Sequence, residues 1–240
     1  LFYLPIGWLQ SPDLYAKQKQ RIFQEPPMPS TLKFWPKCSD CPIRHRAVCA
    51  RCDADELEQL EQIKIYKHFK AGEQIWWRGD TLTYVASVVT GVASLGKTLQ
   101  DGRTQMVGLL FASDFIGRPG REEIDFDVIA ATDLTLCCFQ RKPFEQMIAT
   151  TPHIAQRLLE MALDELDAAR EWMLLLGRKT AREKIATFLK MLVRRQQLSD
   201  VDATDEGLVL PLTRSEIANY LGLTLETVSR QLGQMKKDGT

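Results

Sequence analysis

The sequence predicts an α+β protein, with an antiparallel β-sandwich, roll or barrel ahead of a helical C-terminal half. Three observations carry that prediction. Between residues 64 and 139, short β-rich runs alternate with glycine turns at intervals of about 8–12 residues. Residues 152–177 then hold one long amphipathic pattern, and residues 213–237 read as two capped helices around a glycine. At 240 residues the chain is long enough for two small cores. Its 45% hydrophobic and 26% charged content is ordinary for a globular protein, and its net charge of zero means that any surface for nucleic acid must be local. No apolar run is long enough to span a bilayer and no secretory signal opens the chain, so a reducing, cytoplasmic compartment is expected.

The predicted division is 1–37, 38–150, 151–178 and 179–240. Residues 1–37, with Pro26, Pro27, Pro29 and Pro36, read as a poorly ordered leader in which Met28 is a plausible native start. Residues 38–52 form a loop. Asp53 then caps a helix over 54–63, with Asp55, Glu56 and Glu58 where the helix dipole favours acids. Strands are expected at 73–77, 84–89, 92–97, 105–111, 126–131 and 134–139, with Trp76 and Trp77 as packing residues. A short helix follows at 142–149.

The long helix from Pro152 carries Leu159, Ala162, Leu166, Ala169, Met173 and Leu176 in a heptad rhythm, a seam suited to pairing with a second copy. Another amphipathic helix, 178–195, has Ile185, Phe188, Leu189 and Leu192 on one stripe. An acidic loop at 196–207 and a short strand at 208–212 come next. Thr213 and Glu216 form a capping box, Gly222 stops that helix, and Thr224 caps the next one to about Lys237. This is the pattern of a helix-turn-helix. In its second helix Leu225, Val228, Leu232 and Met235 are expected inside. Glu226, Ser229 and Arg230 face out, chemically suited to base edges. Thr213, Arg214, Thr224, Lys236 and Lys237 are candidate phosphate contacts. The chain ends at KKDGT, in what reads as a turn with a further element to come.

Four of the six cysteines, Cys38, Cys41, Cys49 and Cys52, fall in one short segment, spaced CxxC-x7-CxxC. Such a set serves structural zinc, an iron–sulfur cluster with a ligand from elsewhere, or a redox switch. The remaining pair lies in the strand at 134–139. Alternation puts Leu134, Leu136 and Cys138 on one face, and Cys137 on the other, where it is free to reach a metal group. His45, His68 and His153 make no spaced ligand pair and are assigned surface or packing roles. The piece at 117–120, Gly-Arg-Pro-Gly, is neither a phosphate loop nor a nucleophile elbow, and no enzyme is expected.

The runs CSDCPIRHRAVC, DFIGRPG, LLLGRKTAREKIATFL and LTRSEIANYLGLTLETVSRQL resemble the Crp/Fnr superfamily of bacterial transcription regulators, in particular its oxygen-responsive fumarate–nitrate reduction (FNR) group and the FnrL/FnrN branch. The resemblance implies a β-roll like that of cyclic-nucleotide-binding domains, a dimerisation helix and a winged helix-turn-helix whose wing falls after Gly239. It implies a 4Fe–4S cluster on Cys38, Cys41, Cys49 and Cys137, with the extra thiol Cys52 as the alternative third ligand. It further implies a homodimer that forms when the cluster is intact. That dimer reads TTGAT-type palindromes through Glu226, Ser229 and Arg230, contacts RNA polymerase and controls anaerobic or microaerobic genes. Arg118-Pro119 stands where the superfamily's nucleotide binders carry a glutamate, and Phe126-Asp127 where they carry an arginine. The roll is therefore expected not to bind cyclic nucleotide.

Overall fold

A computed structural model describes Trp35, residues 37–198 and residues 210–239. Met28, nearly all of the expected leader and most of the acidic loop lie outside the described residues. The chain divides into Leu1–Trp35 and Pro36–Thr240, and the elements below belong to the second unit.

After a 3-10 turn at Cys38–Asp40 comes α1 (Ala54–Ile63), whose Asp53–Glu56 capping box satisfies two backbone donors of its first turn. Eight strands follow: β1 (Lys64–Phe69), β2 (Gln74–Trp76), β3 (Tyr84–Thr90), β4 (Ala93–Thr98), β5 (Thr104–Leu110), β6 (Phe115–Ile116), β7 (Asp127–Ala130) and β8 (Leu134–Gln140). Among the described residues five helices follow: α2 (Arg141–Thr150), α3 (Pro152–Arg178), α4 (Ala181–Leu198), α5 (Arg214–Leu221) and α6 (Leu225–Lys237).

The strands form two antiparallel sheets, ordered β1-β8-β3-β6 and β2-β7-β4-β5. Gly91 turns β3 into β4 at a φ of 83°, and a Cβ there would lie 2.2 Å from the Asp133 carbonyl, so only glycine fits. Trp76 is buried against Tyr84, while Trp77 is exposed. β1 and β6 are strands that the turn spacing did not predict. α4 runs on to Leu198, beyond its expected end, and 210–212 are not a strand, which corrects the described part of the run expected there.

The face of β8 opposite Leu134, Leu136 and Cys138 differs from a half-buried strand, because every residue from Leu134 to Phe139 is buried. The segment 38–52 covers that second face. A further core joins the helical half to the roll. Leu175 of α3, Phe188 and Leu192 of α4, Tyr220 and Leu221 of α5 and Val228 of α6 cluster with Val92 and Leu109.

Candidate metal centre and nucleic-acid interface

The segment 38–52 is held by its own backbone. Helical turns link Arg44 N to Cys41 O, Ala47 N to Ile43 O and Cys52 N to Cys49 O. The Arg44 guanidinium donates to the carbonyls of Cys49 (2.8 Å), Ala50 (2.9 Å) and Cys52 (2.7 Å), gathering the end of the loop around one cation. Glu61 of α1 accepts from the Cys38 amide, and Lys64 Nζ donates to Cys38 Sγ at 3.4 Å.

Beneath the loop lies a cavity lined by Cys38, Cys41 and Cys49 from above and by Cys137 from β8, with Tyr66 and Ser87 beside it. The ladder explains the company. Cys137 pairs with Tyr66 of β1 on one side and Ser87 of β3 on the other, so all three side chains share a face. All six cysteines are free and buried. Burial pushes the Cys49 thiol up to about 11 and Cys52 up to about 12. Cys137, buried and close to other thiols, is raised well above the ordinary range. In the absence of a cation these thiols are neutral. Cys52 is buried outside the cavity lining, and Cys138 is fully buried on the opposite face of β8.

The loop also reaches α3. Arg157 donates to the Arg46 carbonyl at 2.6 Å, Arg51 pairs with Glu160 at 2.6 Å, and His153 meets Glu56 at 3.0 Å. The ligand atoms of Asp53, Glu56 and His153 lie within 4.8 Å of one another, a grouping that the helix cap and the His153 contact account for. The surface role that the sequence assigns to His153 thus includes an ion-pair partner on α1, Glu56.

At the other end, Thr213 and Glu216 form the capping box of α5, Gly222 closes it in the left-handed region at φ 61°, and the Thr224 side chain accepts from Thr227 N at the start of α6. Val228 and Met235 are buried, whereas Glu226, Arg230, Lys236 and Lys237 are exposed. Leu225, expected inside, is 46% exposed, because the first helical residue beside the cap has no element above it. α5 also meets the roll. Asn219 Oδ1 accepts from Met106 N at 2.5 Å, and its Nδ2 donates to the Thr104 carbonyl at 3.2 Å. Trp172 of α3 stacks on Tyr220 with centroids 4.2 Å apart.

Residues 66–151 match the cyclic nucleotide-binding domain family, and residues 183–240 match the Crp-like helix-turn-helix domain family. The transcriptional activator protein FnrL of Cereibacter sphaeroides is 62% identical over 85% of this chain and 83% of its own length. The chain belongs to the Crp/Fnr family of transcription regulators. The nitrogen fixation regulation protein FixK of Bradyrhizobium diazoefficiens is 41% identical over 84% of both chains. The solved structure of FixK2 from Bradyrhizobium japonicum superposes with a TM-score of 0.67 at 34% identity, covering 74% of this chain and 86% of that one.

As a Crp/Fnr regulator the chain binds DNA through α5 and α6. Of the sequence-derived sets, the structure brings Cys38, Cys41, Cys49 and Cys137 to one cavity. It leaves Leu159, Leu166, Met173 and Leu176 exposed along one chain's α3, together with Ala162 and Ala169. Leu163 and Leu174 are exposed there as well and were missed by the heptad count. Among the described residues, no helix is long and apolar enough to cross a membrane.

Proposed function

We propose that this regulator senses oxygen through a 4Fe–4S cluster on Cys38, Cys41, Cys49 and Cys137 and, as a homodimer on TTGAT-type palindromes, activates anaerobic or microaerobic genes. The observation that carries the reading is the convergence of four buried thiols from two distant segments on one cavity. Thiolates are the donors such clusters take. Cys52 stands in reserve as the alternative third ligand. A reducing cytoplasm would keep all these thiols available.

When bound, such a cluster supplies an oxygen-sensitive link between residues 38–52 and β8. The chain's own residues do the rest. Arg157 and the Arg51–Glu160 pair tie the loop to α3, and His153 ties α3 to α1 through Glu56. The exposed seam from Leu159 to Leu176 pairs with a second copy, setting the two α6 helices about one turn of duplex apart. Glu226, Ser229 and Arg230 read base edges, while Thr213, Arg214, Thr224, Lys236 and Lys237 hold phosphates. A coupling of about 1–3 kcal/mol between loop and seam is enough to switch occupancy. Residues 38–150 act as sensor, 151–178 as dimerisation helix and 179–240 as reader, and activation adds a contact to RNA polymerase. Relatives named as activators support that sign. The roll serves as scaffold without cyclic nucleotide. The Asp127 carboxylate, which accepts from Arg78 N at 2.9 Å, would repel a cyclic phosphate.

The test is anaerobic purification, then iron and sulfide analysis with visible absorption before and after air. Four irons per chain and a broad band bleached by air are expected, with Cys137→Ala losing both. Stoichiometric zinc with no response to air sinks the oxygen reading, and saturable cyclic-nucleotide binding sinks the scaffold reading.

A further inference from the structure

Two hydroxyl-bearing side chains, Tyr66 and Ser87, line the four-cysteine cavity, and the roll itself does not explain the second. Ser87 is 1% exposed, and among the described residues its hydroxyl has no hydrogen-bond partner. It stands next to Cys137 in the ladder and lines the cavity with the thiols. Its neighbours on the same strand, Val85, Ala86, Val88 and Val89, are all apolar and buried. Burying a hydroxyl without a partner is unfavourable, and exchanging it for a methyl group at such a site is neutral or stabilising. A buried hydroxyl facing a cavity of metal ligands is therefore a donor whose acceptor arrives with the occupant.

We propose that Ser87 is a positioning residue for the metal group, donating its O–H to a sulfur of the cluster and thereby setting how readily air destroys it. The inference rests on the iron–sulfur reading above. A hydrogen bond to sulfur stabilises the more electron-rich state and raises the reduction potential. Without that bond, dioxygen takes an electron from the site more easily and is itself reduced. Lys64, which donates to Cys38 Sγ at 3.4 Å, does the same work at the rim of the cavity with a full charge. Ser87 acts from the floor, beside the one ligand supplied by the roll.

The experiment compares wild type, Ser87→Ala and Ser87→Thr as full chains, with and without iron. Iron-free Ser87→Ala should unfold at the same or a higher denaturant concentration than wild type. Iron-loaded Ser87→Ala should bleach in air about three- to tenfold faster and show a lower reduction potential. Ser87→Thr, which keeps the hydroxyl, should restore both. Equal bleaching rates and potentials in all three loaded proteins overturn the proposal. So does an iron-free Ser87→Ala that is destabilised as much as the loaded one, since that marks an ordinary packing role. Should Ser87→Ala fail to fold, the isosteric pair Ser87→Thr and Ser87→Val decides, faster bleaching of Ser87→Val alone supporting the hydroxyl donor and equal rates removing it. A wild-type chain that takes up no iron defeats the underlying reading, a result distinct from loaded variants that behave alike.

Discussion

The two ends of α3 are built from different chemistry. Near Pro152 the helix meets α1 and the cysteine loop through half-exposed polar ties: His153 to Glu56, Arg157 to the Arg46 carbonyl, and Glu160 to Arg51. Near Arg178 it meets the reader through Leu175, fully enclosed, and Trp172 stacked on Tyr220. Exposed ion pairs contribute at most about 1 kcal/mol each, whereas truncating an enclosed leucine costs about 2–5 kcal/mol. The sensor end is a set of weak contacts that can be exchanged. The reader end is a packed joint that shares one core with α4, α5 and α6.

The strongest test of this asymmetry is at the joint. Phe188→Ala should lower unfolding free energy by about 3–5 kcal/mol, read from denaturant midpoints, because the ring is fully buried among Leu175, Tyr220 and Leu221. A loss below about 1 kcal/mol would mean the joint is loose. Next comes the exposed middle of the helix. Leu166→Glu should raise the dimer dissociation constant at least about 100-fold, equivalent to about 2.7 kcal/mol, in sedimentation of iron-loaded protein. An unchanged dimer would move the seam elsewhere on α3.

The thiol cavity should show a pH dependence that the apolar joint lacks. The Cys49 thiol is pushed from the ordinary 9.0 up to about 11 by burial. Above pH 9 the unfolded chain gives up that proton first, so stability falls between pH 9 and 11. The iron-free protein should lose about 1 kcal/mol at pH 10 relative to pH 8 from this thiol alone, read by guanidinium unfolding. Glu160→Gln should have the smallest effect, at most about 1 kcal/mol on global unfolding. A loss of about 2 kcal/mol or more would erase the distinction between the two ends.

Much of this was legible because it is local. Asp53, Thr213 and Thr224 announce their helices by spacing alone, and Gly222 marks a stop that needs left-handed backbone. Alternation in β8 separates Cys137 from Cys138 correctly. What escaped depends on distant segments meeting. Arg157 and Arg46 are 111 residues apart in the chain, and no periodicity connects them. β1 escaped because its shared face holds Lys64, Tyr66 and His68, polar residues whose partners lie on distant segments, Cys38, the thiol cavity and Thr135. Ser87 looked like one more residue of an apolar strand. Leu225 looked like core because helical spacing cannot show where the neighbouring element ends.

The Asn219 contact has a consequence for solubility. β5 is the edge of its sheet, and an unpaired edge offers amides and carbonyls to any passing strand. The Asn219 carboxamide has the donor and acceptor of a peptide unit, and it occupies Met106 N and Thr104 O much as another strand would. The helix-turn-helix thus covers part of the open border of the sheet on which it rests, closing within one chain an edge that would otherwise pair with another copy.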